Sequence, residues 1–157
     1  MSKSHRYATT LTWTGNAGEG TASYRSYERA YEVAAEGKPA LLGSSDPSFR
    51  GDPARWNPEE LLLAALGACF VNTWAIFVKK LNLNHEALAL DVSGELGQDP
   101  AGGYRMERAL IRASVPATLL AENRAGVEKS LALAEKYCII SKVVRASMEL
   151  RVEIQEA

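Results

Sequence analysis

This 157-residue chain is predicted to adopt an α+β fold, with an antiparallel sheet packed on one long buried central helix. Three observations carry the prediction. A long apolar run, Leu61 to Val78, is bracketed by helix-capping residues; shorter stretches alternate apolar and polar residues; and glycine-rich turns join those stretches as hairpins more often than as crossovers.

The helix comes first because the other elements must cover it. Asn57 caps its start, Pro58 suits the first helical position, and Glu59 and Glu60 meet the positive end of its dipole, as Lys79 and Lys80 meet the negative end. Between these markers Asn72 and Thr73 are the polar residues, so the helix is apolar on all sides and is expected to be buried on all sides. The run just reaches the length that spans a bilayer. Its Ala and Gly content, its central Asn72 and Thr73 and its capped ends favour a core helix instead. One sheet covers one side of it. A second copy of the chain is expected to cover the other, which predicts a homodimer with this helix near the interface.

The remaining elements follow in order. Tyr7, Thr9, Leu11 and Trp13 alternate as a strand, Gly15 to Gly20 turns the chain, and Thr21 to Tyr24 is read as the returning strand of a hairpin. Tyr27 to Ala35 is a weaker strand and Ala40 to Leu42 a short one. Gly43 to Trp56 is a long loop, a class of segment that often carries function, and it delivers Arg50 and Arg55 to the start of the helix. Beyond Leu83 to His85, Leu88 to Leu96 and Glu107 to Val115 alternate around the turn Gln98 to Gly103 as a second hairpin. Pro116 opens a helical stretch ending near Tyr137. Cys138 follows, then a short helix or turn from Ile139 to Arg145 and a last strand from Met148 to Ile154. No linker or repeat interrupts residues 1–157, which read as a single domain.

Composition excludes several functions. With 46% hydrophobic and 24% charged residues and a formal net charge of -1, the chain has no electrostatic reason to bind nucleic acid or an anionic membrane. The polar start, Met1 to Arg6, has no apolar signal core, and a cytoplasmic location is expected. Two cysteines in a reducing compartment do not make a structural staple, and two His with two Cys at no metal-ligand spacing argue against a metal site. No flavin, nicotinamide or Cys-x-x-Cys motif is present, so no cofactor is expected. The glycine-rich Gly15 to Gly20 joins two strands, not a strand to a helix, and reads as a turn instead of a phosphate loop.

Cys69 and Cys138 remain. Buried thiols are commonly inert. Both, however, sit on helical segments of a small fold, Arg50 and Arg55 stand just before the helix, and Glu59 and Glu60 offer carboxylates to orient a guanidinium. A thiol in apolar surroundings has a raised pKa and needs a cation to become a reactive thiolate. Cys69 lies too far along its helix to use that helix's own dipole, so an arginine is expected beside it. Glu59 and Cys69 are ten positions apart (69 minus 59), about 15 Å on one straight helix. A site uniting them needs a partner subunit or a helix break.

These residues resemble a known family. Asn57-Pro58-Glu59-Glu60-Leu61-Leu62 leading into Ala65-Leu66-Gly67-Ala68-Cys69-Phe70, the upstream Phe49-Arg50-Gly51, and Tyr137-Cys138-Ile139-Ile140-Ser141-Lys142 are similar to the OsmC/Ohr family of hydroperoxide reductases. Trp13-Thr14-Gly15 and Gly18-Glu19-Gly20-Thr21 extend the likeness over nearly the whole chain. The resemblance implies an intertwined homodimer with sites at the subunit interface, Cys69 as peroxidatic cysteine, Cys138 as resolving cysteine, an intrachain disulfide between them, Arg50 as activating cation and Glu59 as its orienting partner. It further implies reduction of an organic hydroperoxide and regeneration by an external dithiol. Phe49, Phe70 and Trp74 would favour an organic peroxide. Ile139 and Lys142 depart from the family, which often has Pro and then Arg or Gln at these places, and Arg55 competes with Arg50. The other reading is a non-catalytic ligand-binding or redox-sensing stress protein on the same scaffold.

Overall fold

The computed structural model describes residues 4–156; Met1 to Lys3 of the polar N-terminal stretch, and Ala157, lie outside them. The chain forms two compact units, residues 1–61 and 62–157, with the division falling inside the first helix.

In the N-terminal unit, β1 (Thr10–Trp13), β2 (Tyr31–Ala34) and β3 (Leu41–Gly43) form an antiparallel sheet in the order β1-β2-β3. The partner of β1 is therefore β2, not Thr21 to Tyr24 as the alternation predicted. Residues 21–27 are held as turns by competing side-chain bonds. Asn16 Oδ1 accepts the N–H groups of Gly18 and Gly20 at 2.9 Å, and the Arg29 guanidinium lies between the Tyr24 and Tyr27 rings while donating to both their carbonyls. Local bonds of this kind offer the backbone an alternative to a ladder.

The loop after β3 is knitted together. Ser44 N–H donates to the Trp56 carbonyl, Ser44 Oγ accepts from Asp52 N–H, and Asp46 caps a 3-10 turn, Pro47–Phe49, that ends at Arg50 with a left-handed φ of 68°. Gly51 is required here, because a Cβ would collide with the Ser45 carbonyl. The loop delivers Asn57 as the cap of α1 (Pro58–Lys80). Asn57 Oδ1 accepts Glu60 N–H at 2.8 Å and Glu60 Oε2 accepts Asn57 N–H at 3.2 Å, a reciprocal capping box. Asn57→Ala is expected to cost about 1 kcal/mol in a urea titration, and an unchanged midpoint would show that the cap contributes nothing.

The C-terminal unit holds the main core. Here β4 (Ala89–Gln98) and β5 (Tyr104–Val115) pair antiparallel around the expected turn, followed by α2 (Ala117–Tyr137), α3 (Ile139–Val144) and β6 (Glu149–Glu156). β6 runs parallel to β5, with Ile111 opposite Val152, so this sheet is mixed and not antiparallel throughout. The cause is the connection: two helices return the chain to the end of the sheet where β5 began, as a crossover does. Ala109, Ile111, Ala113 and Val115 of β5 face the core, while Arg112 pairs with Glu153 on the other face.

α1 buries one stripe in this core, Leu66, Phe70, Trp74 and Val78, each four residues from the next. Gly67 lets Val92 approach to 2.9 Å of where a Cβ would stand, and Trp74 Nε1 donates to Ser130 Oγ. Among the described residues α1 is the one helix long and apolar enough to cross a bilayer, yet its Phe70 and Trp74 side chains are wholly inside the core. The expectation of burial on all sides does not hold within one chain. Ala64, Ala65, Ala68, Asn72, Ala75 and Ile76 are exposed, because the sheet and α2 cover a single face. Asn72 and Thr73 donate to the carbonyls of Ala68 and Cys69 one turn back, so neither marks a polar core site.

Candidate active site

Cys69 and Cys138 are brought together. Cys69 lies midway along α1, partly buried, and Cys138 occupies the joint between α2 and α3 with no exposed surface; both are free thiols. Helix α2 ends at Tyr137, and Cys138 takes an extended conformation (φ -63°, ψ 121°) that makes it the cap of α3. Its Sγ accepts the Ser141 N–H at 3.4 Å. The first N–H groups of a helix have no partner within it. Here those of Ile139 and Ile140 turn toward Cys69.

This placement sets the two thiols apart chemically. Burial pushes the Cys69 thiol up, but chiefly the Ile140 N–H, the Cys138 side chain and the Ile139 N–H outweigh it, and its pKa falls below that of an ordinary thiol. Hydrogen bonds to the charged form favour ionisation. Cys138 moves the other way: burial raises its pKa, bonds from Ser141 offset this in part, and the neighbouring Cys69 raises it further. When the pair loses its first proton, the thiolate therefore forms on Cys69. The sequence placed Cys69 beyond reach of its own helix dipole, which stands, but the inference that only an arginine could activate it does not. The donors are the Ile140 and Ile139 N–H groups of α3 and the Cys138 thiol. The sign of them in the sequence was the cap residue at position 138.

The other candidates sit in the N-terminal unit. The Arg50 guanidinium lies 5.6 Å from the Tyr24 ring centre, and among the described residues it forms no ion pair. Arg55 is engaged with Asp52 at 3.3 Å. Glu59 is partly buried, and its Oε2 has no hydrogen-bond partner among the described residues. The Tyr31 phenol pKa is raised, first by the burial of Tyr31 itself and then by the charge of Glu59, and the Tyr31 hydroxyl donates to the Trp56 carbonyl. No ion pair joins Arg50 to Glu59 among the described residues. Phe70 and Trp74 are fully buried in the core and line no open surface, so they set no substrate preference.

What the fold and this site define is an α+β protein holding a close pair of reduced, unequal thiols. The OsmC-like protein family matches residues 51–153, more than half of the chain, and the chain belongs to that family. The fold is similar to that of an OsmC-like protein of unknown function from Vibrio cholerae, at 23% identity and TM-score 0.78 over 97% of this chain and 100% of that one. It is also similar to an organic hydroperoxide resistance protein from Elizabethkingia anophelis (19% identity, TM-score 0.73, 99% of this chain and 100% of that one). A third is the organic hydroperoxide resistance protein OhrB of Bacillus subtilis (19% identity, TM-score 0.63, 95% of this chain and 98% of that one). At these identities the likeness is one of fold. No curated protein matches the chain in sequence.

Proposed function

We propose that this protein is a cysteine-based peroxidase that reduces organic hydroperoxides to alcohols. The observation that carries the reading is the contact between Cys69, with its lowered pKa, and the buried Cys138. The Cys69 thiolate attacks the distal oxygen of ROOH. The O–O bond breaks, RO⁻ takes a proton and leaves as ROH, and Cys69 becomes a sulfenic acid. Cys138 attacks that sulfur, an S–S bond forms and water departs. An external dithiol then reduces the disulfide by two exchange steps and is itself oxidised to a disulfide. Nothing in this cycle calls for a metal or an organic cofactor. Family membership and the organic hydroperoxide resistance proteins that share the fold support the choice of an organic peroxide.

The working unit in this reading is a homodimer with α1 near the interface. The exposed small and apolar side of α1 supports it, as do Ile139 at 71% and Val143 at 65% exposure beside the thiols. Arg50 is assigned as the cation that stabilises the departing alkoxide and Glu59, with its vacant Oε2, as its orienting partner. α1 runs from Pro58 to Lys80 without a break, which leaves about 15 Å of helix between Glu59 and Cys69. The Arg50–Glu59 pair that serves Cys69 is therefore assigned to the partner subunit.

Steady consumption of cumene hydroperoxide under dithiothreitol tests the activity, and consumption no faster than without protein would end the reading. Mixing Arg50→Ala and Cys69→Ser subunits tests the shared site. Exchange between the two inactive variants is expected to restore up to about a quarter of wild-type turnover, as one intact site in each mixed dimer allows. No recovery after verified exchange would place each site within one subunit.

A further inference from the structure

Ser141, in the first turn of α3, has no exposed surface, yet its hydroxyl has no hydrogen-bond partner among the described residues. Buried polar groups are ordinarily paired, and a serine on a helix ordinarily gives its proton to a carbonyl one turn back. Ser130 and Thr73 do so. Ser130 Oγ, equally buried, donates to the Val127 carbonyl at 2.7 Å and accepts from Trp74 Nε1, and Thr73 Oγ1 donates to the Cys69 carbonyl. The Ser141 hydroxyl takes neither kind of partner.

What lies beside it is the Cys138 sulfur. The Ser141 N–H donates to Cys138 Sγ at 3.4 Å, and the Ser141 hydroxyl acts on the same sulfur. Burial raises the Cys138 pKa, and the groups that oppose burial are the Ser141 hydroxyl and then the Ser141 N–H, both from one residue. Cys69 is the titratable group that acts on Cys138 among the described residues, and it adds to the effect of burial. A neutral thiol is a weak acceptor, whereas a charged acceptor makes a much stronger hydrogen bond. An unpaired O–H beside Cys138 is thus a donor already in place for a thiolate that forms there during the cycle.

We infer that Ser141 serves the resolving step: its hydroxyl donates to Cys138 Sγ once that thiol has lost its proton, and holds the sulfur as a nucleophile toward the Cys69 sulfenic acid. The inference rests on the peroxidase reading. In this step the Cys138 proton passes to solvent and the Cys138 thiolate forms the S–S bond with Cys69. The S–O bond of the sulfenic acid breaks, and hydroxide takes up a proton and leaves as water. Burial opposes the charged form of Cys138 that makes this attack, and the Ser141 hydroxyl offsets that opposition.

Ser141→Ala tests it, since alanine keeps the N–H and deletes the hydroxyl. Reduced protein is mixed with tert-butyl hydroperoxide at concentrations where the second step limits, over a range of pH. Quenched samples are read by mass spectrometry for Cys69 sulfenic acid, trapped with dimedone, and for the Cys69–Cys138 disulfide. In wild type, disulfide formation is expected to quicken with pH as Cys138 deprotonates. Loss of the hydroxyl raises that pKa, so in Ser141→Ala the rise lies at higher pH and sulfenic acid accumulates. On the rising part the step slows by up to about tenfold, as up to one pKa unit allows. The reduced variant is expected to melt within about 2 °C of wild type, because the deleted hydroxyl gives up no ordinary hydrogen bond. Coincident pH profiles of disulfide formation would overturn the role of Ser141 and leave the peroxidase reading intact. A variant that melts well below wild type yet closes the disulfide at the wild-type rate would make the hydroxyl structural. A wild type that forms neither product would overturn both readings.

Discussion

Cys69→Ser is expected to abolish oxidation by organic hydroperoxide, while Cys138→Ser keeps the first oxidation and loses turnover. The difference follows from the unequal thiols. Cys69 ionises more readily than an ordinary thiol because the Ile140 N–H, the Cys138 thiol and the Ile139 N–H favour its charge, and a serine hydroxyl in its place does not ionise near neutral pH. Cys138 is buried, with a thiol pKa raised by that burial, so it is not the group that attacks the peroxide, but without it the sulfenic acid on Cys69 has no neighbouring thiol to close on. Stopped-flow mixing with tert-butyl hydroperoxide, followed by dithiol turnover, separates the two steps. Peroxide consumption by Cys69→Ser at the wild-type rate would remove Cys69 from the chemistry. Wild-type dithiol turnover by Cys138→Ser would remove its resolving role.

The second large effect is expected from Ile139→Pro. Proline has no N–H, so the variant deletes one donor to the Cys69 thiolate and little else. Position 139 is the first of α3, where proline is favoured, and Cys138 already holds the extended conformation that a residue before proline requires. The Ile139 side chain is mostly in solvent, and Ile139→Ala, which keeps the N–H, controls for its loss. The thiolate is the nucleophile, so the oxidation rate rises with pH as Cys69 deprotonates and levels off above its pKa. With that pKa below the ordinary thiol value, the rise in wild type lies at lower pH than for a free thiol. Ile139→Pro moves it to higher pH and, on the rising part of the profile, slows oxidation by up to about tenfold, as up to one pKa unit allows. Coincident pH profiles for the proline and alanine variants would show that the Ile139 N–H does not act on Cys69.

Much of this fold was legible because its signals were local. The Asn57-Pro58-Glu59-Glu60 start of α1, the β4–β5 turn at Asp99 to Gly103 and the interruption at Cys138 are each written in adjacent residues. What was not legible depended on distant partners. Whether Thr21 to Tyr24 pairs with β1 is decided by Arg29 and Asn16, and the direction of β6 is decided by how α2 and α3 return the chain. Helix α1 exposes why composition alone overreached: its residues are apolar on every side, but burial is a property of what surrounds a helix, and one chain covers one face. The thiol pair was nameable from Cys69 and Cys138, whereas main-chain donors carry no side-chain signature. Ile139 and Ile140 read simply as apolar residues, and only the fold turns their N–H groups toward a sulfur.

Peptide mapping under non-reducing conditions, after one equivalent of tert-butyl hydroperoxide, tests the central claim most directly. The expected product is a single disulfide joining the Cys69 and Cys138 peptides of one chain, formed in wild type and absent from either serine variant. Recovery of Cys69 as an unmodified thiol, or as an over-oxidised acid with Cys138 still free, would contradict it.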